Sequence, residues 1–224
     1  MSNGGARRSL VDSATRVKRL GLLSAGLVAV VVLLALTINS AALTALDRSV
    51  WAWFDVHQSP SWHVDSTGAF SYLGRPLHVA TAGVLCGALL AARARSLAPA
   101  VLVIGGVGVG VIAEQALKAT VGRIADIAPM YPANYHHSFP SGHVTGCATL
   151  LGLTAVCLGA GRSRTRRAVL TGLVLAGVVT VALLALYSYS HTFTDVLGGM
   201  ALGGGIVAAG AALWASNRVA KNLS

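Results

Sequence analysis

The chain has 224 residues, of which 54% are hydrophobic and only 11% charged. A soluble domain of this length carries about twice that share of charge, so a soluble fold is excluded and an integral membrane protein is expected. The net charge of +10 would suit a nucleic-acid binder, but the placement of the charge described below excludes that class as well.

Six apolar runs follow one another near residues 20–43, 77–93, 97–117, 143–160, 168–187 and 195–215. Each is close to the ~20 residues that a helix needs to cross the hydrocarbon core. The runs are continuous rather than alternating, which excludes a barrel. The first is too long for a cleavable signal peptide, and Asn39-Ser40-Ala41-Ala42 leads into more apolar sequence. The expected fold is therefore all-α, with six transmembrane helices in one membrane domain over 20–215. A basic tail, 1–19, precedes it and a short tail, 216–224, follows.

Arg7, Arg8, Arg16, Lys18, Arg19, Arg93, Arg95, Arg162, Arg164, Arg166, Arg167, Arg218 and Lys221 make thirteen of the 17 basic residues. All fall on one side if the spans alternate. The positive-inside rule assigns that side, and both termini, to the cytoplasm of a multi-pass plasma (inner) membrane protein. Segments 44–76, 118–142 and 188–194 then face outward. Trp51, Trp53, Phe54 and Trp62 in the first of them suit an interfacial helix or an aromatic belt, with plain anchoring the simpler reading. Gly105, Gly106, Gly108, Gly110, Gly199 and Gly203 to Gly205 allow close helix packing, and homo-oligomers through such faces. No Lys-Ser or Lys-Thr follows the first group, so it is no P-loop. Cys86, Cys147 and Cys157 lie inside apolar runs and read as free buried thiols. The Ala/Gly/Val/Arg-rich, lysine-poor composition points to a GC-rich bacterial genome.

All seven histidines lie in outer segments or at outer span ends, and so do Lys118, Arg123 and Asp195. Ionisable groups at membrane depth are functional candidates. Glu114 and Lys118 are spaced for a helical ion pair. His191 and Asp195 share the same i, i+4 spacing, which lets the carboxylate fix one imidazole nitrogen and leave the other free to act. Ser141 and Gly142 open a span, where unpaired N–H groups and a bare backbone suit an anion. Alone, Pro140-Ser141 is an ordinary helix start, and His191 with Asp195 reads equally as a surface pair or half a metal site. The His-x-x-x-His and His-Glu-x-x-His patterns are absent, so no metal is expected. Together the groups suit a phosphoryl centre, with one histidine to attack and another to protonate the leaving oxygen.

The motifs resemble those of the type 2 phosphatidic acid phosphatase (PAP2) superfamily, membrane lipid phosphatases related to vanadium haloperoxidases. Pro140-Ser141-Gly142-His143 matches the second motif, and His191-x-x-x-Asp195 ends the third. Lys118 opens the first, with Gly122-Arg123 inside it. The resemblance implies His191 as nucleophile, Asp195 as its orienter and His143 as general acid. Lys118, Ser141 and the Gly142 backbone would hold phosphoryl oxygens, with no metal or organic cofactor. It implies an extracytoplasmic site and a phosphoric monoester or diphosphate hydrolase whose partner is a lipid phosphate, a polyprenyl carrier or phosphatidic acid being typical. Opposed protonation requirements on His191 and His143 imply a bell-shaped rate profile.

Two departures stand out. The first motif's closing Arg-Pro is Ala125-Asp126, and the third motif's opening Ser-Arg is Leu184-Ala185. Both family arginines are missing. Arg123 is the first choice to replace them at the phosphate, with His136, His137 and Arg75 behind it. A transferase passing a phosphoryl or phosphate-linked group to a glycan or lipid acceptor, and a non-catalytic lipid-phosphate binder, are the alternatives.

Overall fold

The structure is a computed structural model that describes residues 3–57, 75–123 and 138–221. The described residues form seven helices and no strand: α1 (Asn3–Thr37), α2 (Ala41–His57), α3 (Pro76–Ala94), α4 (Ala98–Val121), α5 (Gly142–Gly159), α6 (Arg164–Tyr187) and α7 (Phe193–Lys221). All but α2 are long and apolar enough to cross a membrane. This is the expected all-α membrane fold with six spans.

The first boundary differs from the sequence reading. The span expected over 20–43 stops at Thr37, whose hydroxyl bonds back to the Leu33 carbonyl at 2.7 Å. Ser40 then starts α2 by accepting from the Leu43 amide at 3.4 Å. Serine competes for backbone partners in this way and favours helix starts over helix interiors, so one apolar run is cut into two helices. The other ends follow local signals. Pro76 and Pro99 sit in first turns, where a missing N–H is harmless. Ser141 and Ser163 cap α5 and α6. Gly122 ends α4 at φ +52°, a left-handed turn that glycine adopts without penalty.

The helix centres are α5 and α7. Half of the α7 span is buried, against 6% of the α1 span, so α7 is the axis and α1 a flank. Apolar burial gives helices little reason to associate inside lipid, and close backbone contact must do it instead. A Cβ at Gly199 would lie 2.7 Å from the Ser141 carbonyl, and one at Gly203 2.9 Å from that of Thr145. These glycines let α5 cross α7. Gly106 and Gly210 take the Leu153 side chain in the same manner. The glycines at 106, 199 and 203 are thus used within the chain, while Gly105 and Gly108 face open space. On the flank, the Ser24 hydroxyl donates to the Gly205 carbonyl at 2.9 Å.

Helix α2 lies over the α6–α7 turn. Trp51 packs on Tyr189 and Phe54 on Tyr187, with ring centroids 5.5 and 4.7 Å apart. Two of the outer aromatics therefore hold α2 in place, each pair contributing about 0.5–1.5 kcal/mol beyond burial. Trp53 is exposed, and Trp62 lies outside the described residues. Cys86, Cys147 and Cys157 are free thiols.

Candidate active site

Alternation of the spans gathers the end of α4 and the starts of α5 and α7 at one end of the bundle. Arg93, Arg95, Arg162 to Arg167 and Arg218 are at the other. The α6–α7 turn carries His191 into the first end. Its backbone N–H and that of Ser190 both donate to the Ala185 carbonyl, at 3.3 and 3.1 Å. Thr192 and Asp195 then start α7 with a reciprocal cap. The Asp195 amide donates to the Thr192 hydroxyl at 3.4 Å, and the Thr192 amide donates to Asp195 Oδ2 at 3.0 Å.

The same Oδ2 lies 3.7 Å from Nδ1 of His191. Nδ1 thus faces the carboxylate, and Nε2 lies on the other edge of the ring. His143, in the first turn of α5, faces this ring edge-on with centroids 6.0 Å apart. That spacing lets both imidazoles reach one phosphoryl group. His143 is also within electrostatic reach of Lys118 and Arg75.

Ser141 is fully buried. Its amide donates to the Asp195 carbonyl at 3.0 Å, tying the two helix starts together, and its hydroxyl caps α5 by accepting from the Val144 amide at 3.5 Å. Gly142 packs against Glu114, whose carboxylate also holds Lys118 Nζ at 2.6 Å. A Cβ at 142 would overlap that carboxylate. Gly142→Ala is therefore expected to push Glu114 aside and displace Lys118. Misplacement on the ångström scale lowers turnover about a hundredfold. Activity assays beside thermal unfolding check this, and normal turnover in a folded Gly142→Ala protein would refute it.

Arg123 is placed otherwise than the sequence suggested. It follows the Gly122 turn directly and is buried. Nη1 donates to Asp195 Oδ1 at 2.5 Å and to the Thr194 hydroxyl at 2.9 Å. Nη2 donates to Asp47 Oδ2 at 2.5 Å. Its two terminal nitrogens are thus committed to carboxylates, which leaves no terminal N–H fork aimed at a phosphate. Arg75, ranked behind it, is the exposed arginine that bears on His143. His136 and His137 lie outside the described residues.

Asp47 was missed by the sequence reading. It is buried on α2 and accepts from the Thr194 amide at 2.9 Å and the Thr194 hydroxyl at 2.7 Å, besides Arg123. A signal existed. Asp47, Trp51 and Phe54 are spaced i, i+4, i+7, which puts an acid on the apolar face of α2.

Buried Asp47–Arg123–Asp195 contacts thus back a histidine pair at the mouth of a helical membrane bundle. A family model described as the PAP2 superfamily matches residues 99–219. The chain belongs to the PAP2 superfamily.

The PAP2 assignment extends to architecture. The chain is similar in fold to a solved structure described as the first transmembrane PAP2 type phosphatidylglycerolphosphate phosphatase, from Bacillus subtilis. The TM-score is 0.71 over 88% of this chain and 96% of that one, at 21% identity. No curated protein matches the sequence. Asp47 lies outside the matched PAP2 segment. At Ala185, where the third PAP2 motif has its arginine, the side chain is fully buried among Val181, Ala182 and Val196. A long cationic chain has no place there. Position 125 lies outside the described residues.

Proposed function

We propose that the protein is a lipid phosphate or diphosphate phosphatase that works through a phosphohistidine. The observation that carries this reading is the pair of facing imidazoles, one backed by a buried carboxylate, in a PAP2 chain. His191 Nε2 attacks phosphorus, the bond to the leaving oxygen breaks, and His143 gives that oxygen its proton. Water then attacks the phosphohistidine, His143 takes the water's proton, and inorganic phosphate leaves. Lys118 and Arg75 supply positive charge for the phosphoryl oxygens, and no metal enters the scheme. Six spans with the basic turns at the opposite end favour an extracytoplasmic site.

The test is phosphate release by the purified protein in detergent, with His191→Ala as blank. The panel holds phosphatidylglycerol phosphate, phosphatidic acid, and polyprenyl mono- and diphosphate. The similarity to a phosphatidylglycerolphosphate phosphatase puts the first of these at the head. Release from at least one that vanishes in the blank is expected. No release from any of them by folded protein would end the hydrolase reading. Repeating the assay with an added alcohol acceptor then separates a transferase from a binder.

The rate should be bell-shaped in pH, because His191 must be neutral to attack and His143 protonated to donate. A monotonic profile for kcat/KM between pH 4 and 10 would remove one histidine from the scheme.

A further inference from the structure

The bundle's other end carries a second polar feature. A groove of about 290 Å³ opens between α1, α5, α6 and α7. Arg16, Arg167 and Arg218 line it, together with Trp214, Gly152 and Val207. Its nearest lining residue on α5, Gly152, is about 14 Å along the helix from His143 at 1.5 Å per residue, and its far end reaches Gly159, so it is separate from the histidine site. From Val207 to Arg218 it follows α7 for about 16 Å, apolar along its length and cationic at its mouth.

The positive-inside bias asks only that arginines lie in the loops. It does not ask that arginines from three separate helices converge on one groove. Arg218 lies over the turn at Gly161, its Nη2 3.5 Å from where a Cβ would stand, and the Arg167 stem lies 3.3 Å from the same point on Gly159. Both thus sit at the C-terminus of α5. A helix end offers about half a negative charge, and the three arginines carry six times that. No carboxylate pairs with them among the described residues. Trp214 adds a buried indole N–H without a hydrogen-bond partner among the described residues. Excess cations, an orphaned donor and an apolar trough describe a binder of something anionic at one end and greasy along the rest.

We propose that this groove holds an anionic phospholipid, with its phosphate on Arg16, Arg167 and Arg218 and an acyl chain lying along Val156, Leu170, Val174 and Ala211. The lipid bridges α1 to the α5–α7 core. The site is independent of the reaction assigned to His191.

Native mass spectrometry of the detergent-purified full chain, titrated with phosphatidylglycerol or phosphatidylcholine, tests it. Wild type should retain phosphatidylglycerol in preference. The triple variant R16Q/R167Q/R218Q should lose affinity on the order of a hundredfold, since each arginine at a lipid surface contributes roughly fivefold. R93Q/R95Q/R166Q removes equal charge from the same end and should bind as wild type. Ala211→Trp fills the trough without changing charge and should also weaken binding. Thermal unfolding of each variant confirms that it is folded. Equal losses in both triples, equal affinity for the two lipids, normal binding by Ala211→Trp, or a dimer without lipid adducts would each overturn the proposal.

Discussion

His191→Ala should lower turnover by a factor on the order of 10⁴ to 10⁶, the range seen when a covalent nucleophile is removed. At 1.36 kcal/mol per tenfold, that is about 5–8 kcal/mol of transition-state stabilisation. The fold should survive, because the His191 backbone N–H, which donates to the Ala185 carbonyl, is kept by alanine. Substrate affinity should change little, since Lys118 and Arg75 are untouched. A radiolabelled lipid phosphate adds a sharper readout. Quenched wild-type protein should carry an acid-labile, alkali-stable label, and the variant none. Turnover within tenfold of wild type, or a label that persists, would place the nucleophile elsewhere.

The second large effect concerns Arg123. In Arg123→Met, two buried carboxylates, Asp47 and Asp195, lose their shared cation. Breaking such a buried pair from one side destabilises by about 3–5 kcal/mol, because the remaining charges stay out of water. Melting in detergent should fall accordingly, and kcat should fall with it as Asp195 moves away from His191. A phosphate ligand would behave differently: KM would rise while stability held. Asp47→Asn separates the two cases further. It leaves the Thr194 amide an acceptor but turns an amide N–H toward Arg123. A supporting contact of this kind is worth about 10–100-fold in activity, although Asp47 itself would touch no substrate. A double-mutant cycle between positions 47 and 123 should show coupling of roughly 0.5–3 kcal/mol. If Asp47→Asn melts and turns over like wild type, the carboxylate pair is not positioning anything.

Much of this architecture could be read from residue order. Six spans followed from apolar length, and the cluster of His143, His191 and Asp195 at one end followed from alternation. What escaped was lateral. Whether Arg123 points toward solvent or into the bundle depends on one left-handed residue, Gly122, and on a partner in another helix. Asp47 is 76 residues from Arg123 in the chain, and no local pattern reports a pairing at that separation. Ser141 was expected at the phosphate from its motif, yet its amide and hydroxyl also hold two helix starts together. Helix starts and phosphate cradles use the same residue types, so sequence alone does not divide the labour. The break at Ser40 was missed because a hydropathy window averages across a single cap.

The order in which the helices are made gives the Asp47–Arg123–Asp195 contact a further meaning. Asp47 and Arg123 leave the ribosome long before Asp195, which belongs to α7, the last helix among the described residues. Until α7 inserts, Arg123 lacks one of its two carboxylates and His191 lacks the Asp195 contact at its Nδ1. A chain stalled during synthesis, or clipped before the final span, would keep His191 but lack both the carboxylate that orients it and the helix that forms the bundle's axis. Biogenesis thus carries its own safeguard: on the proposed chemistry, the membrane is exposed to a working hydrolase only after the whole bundle has closed.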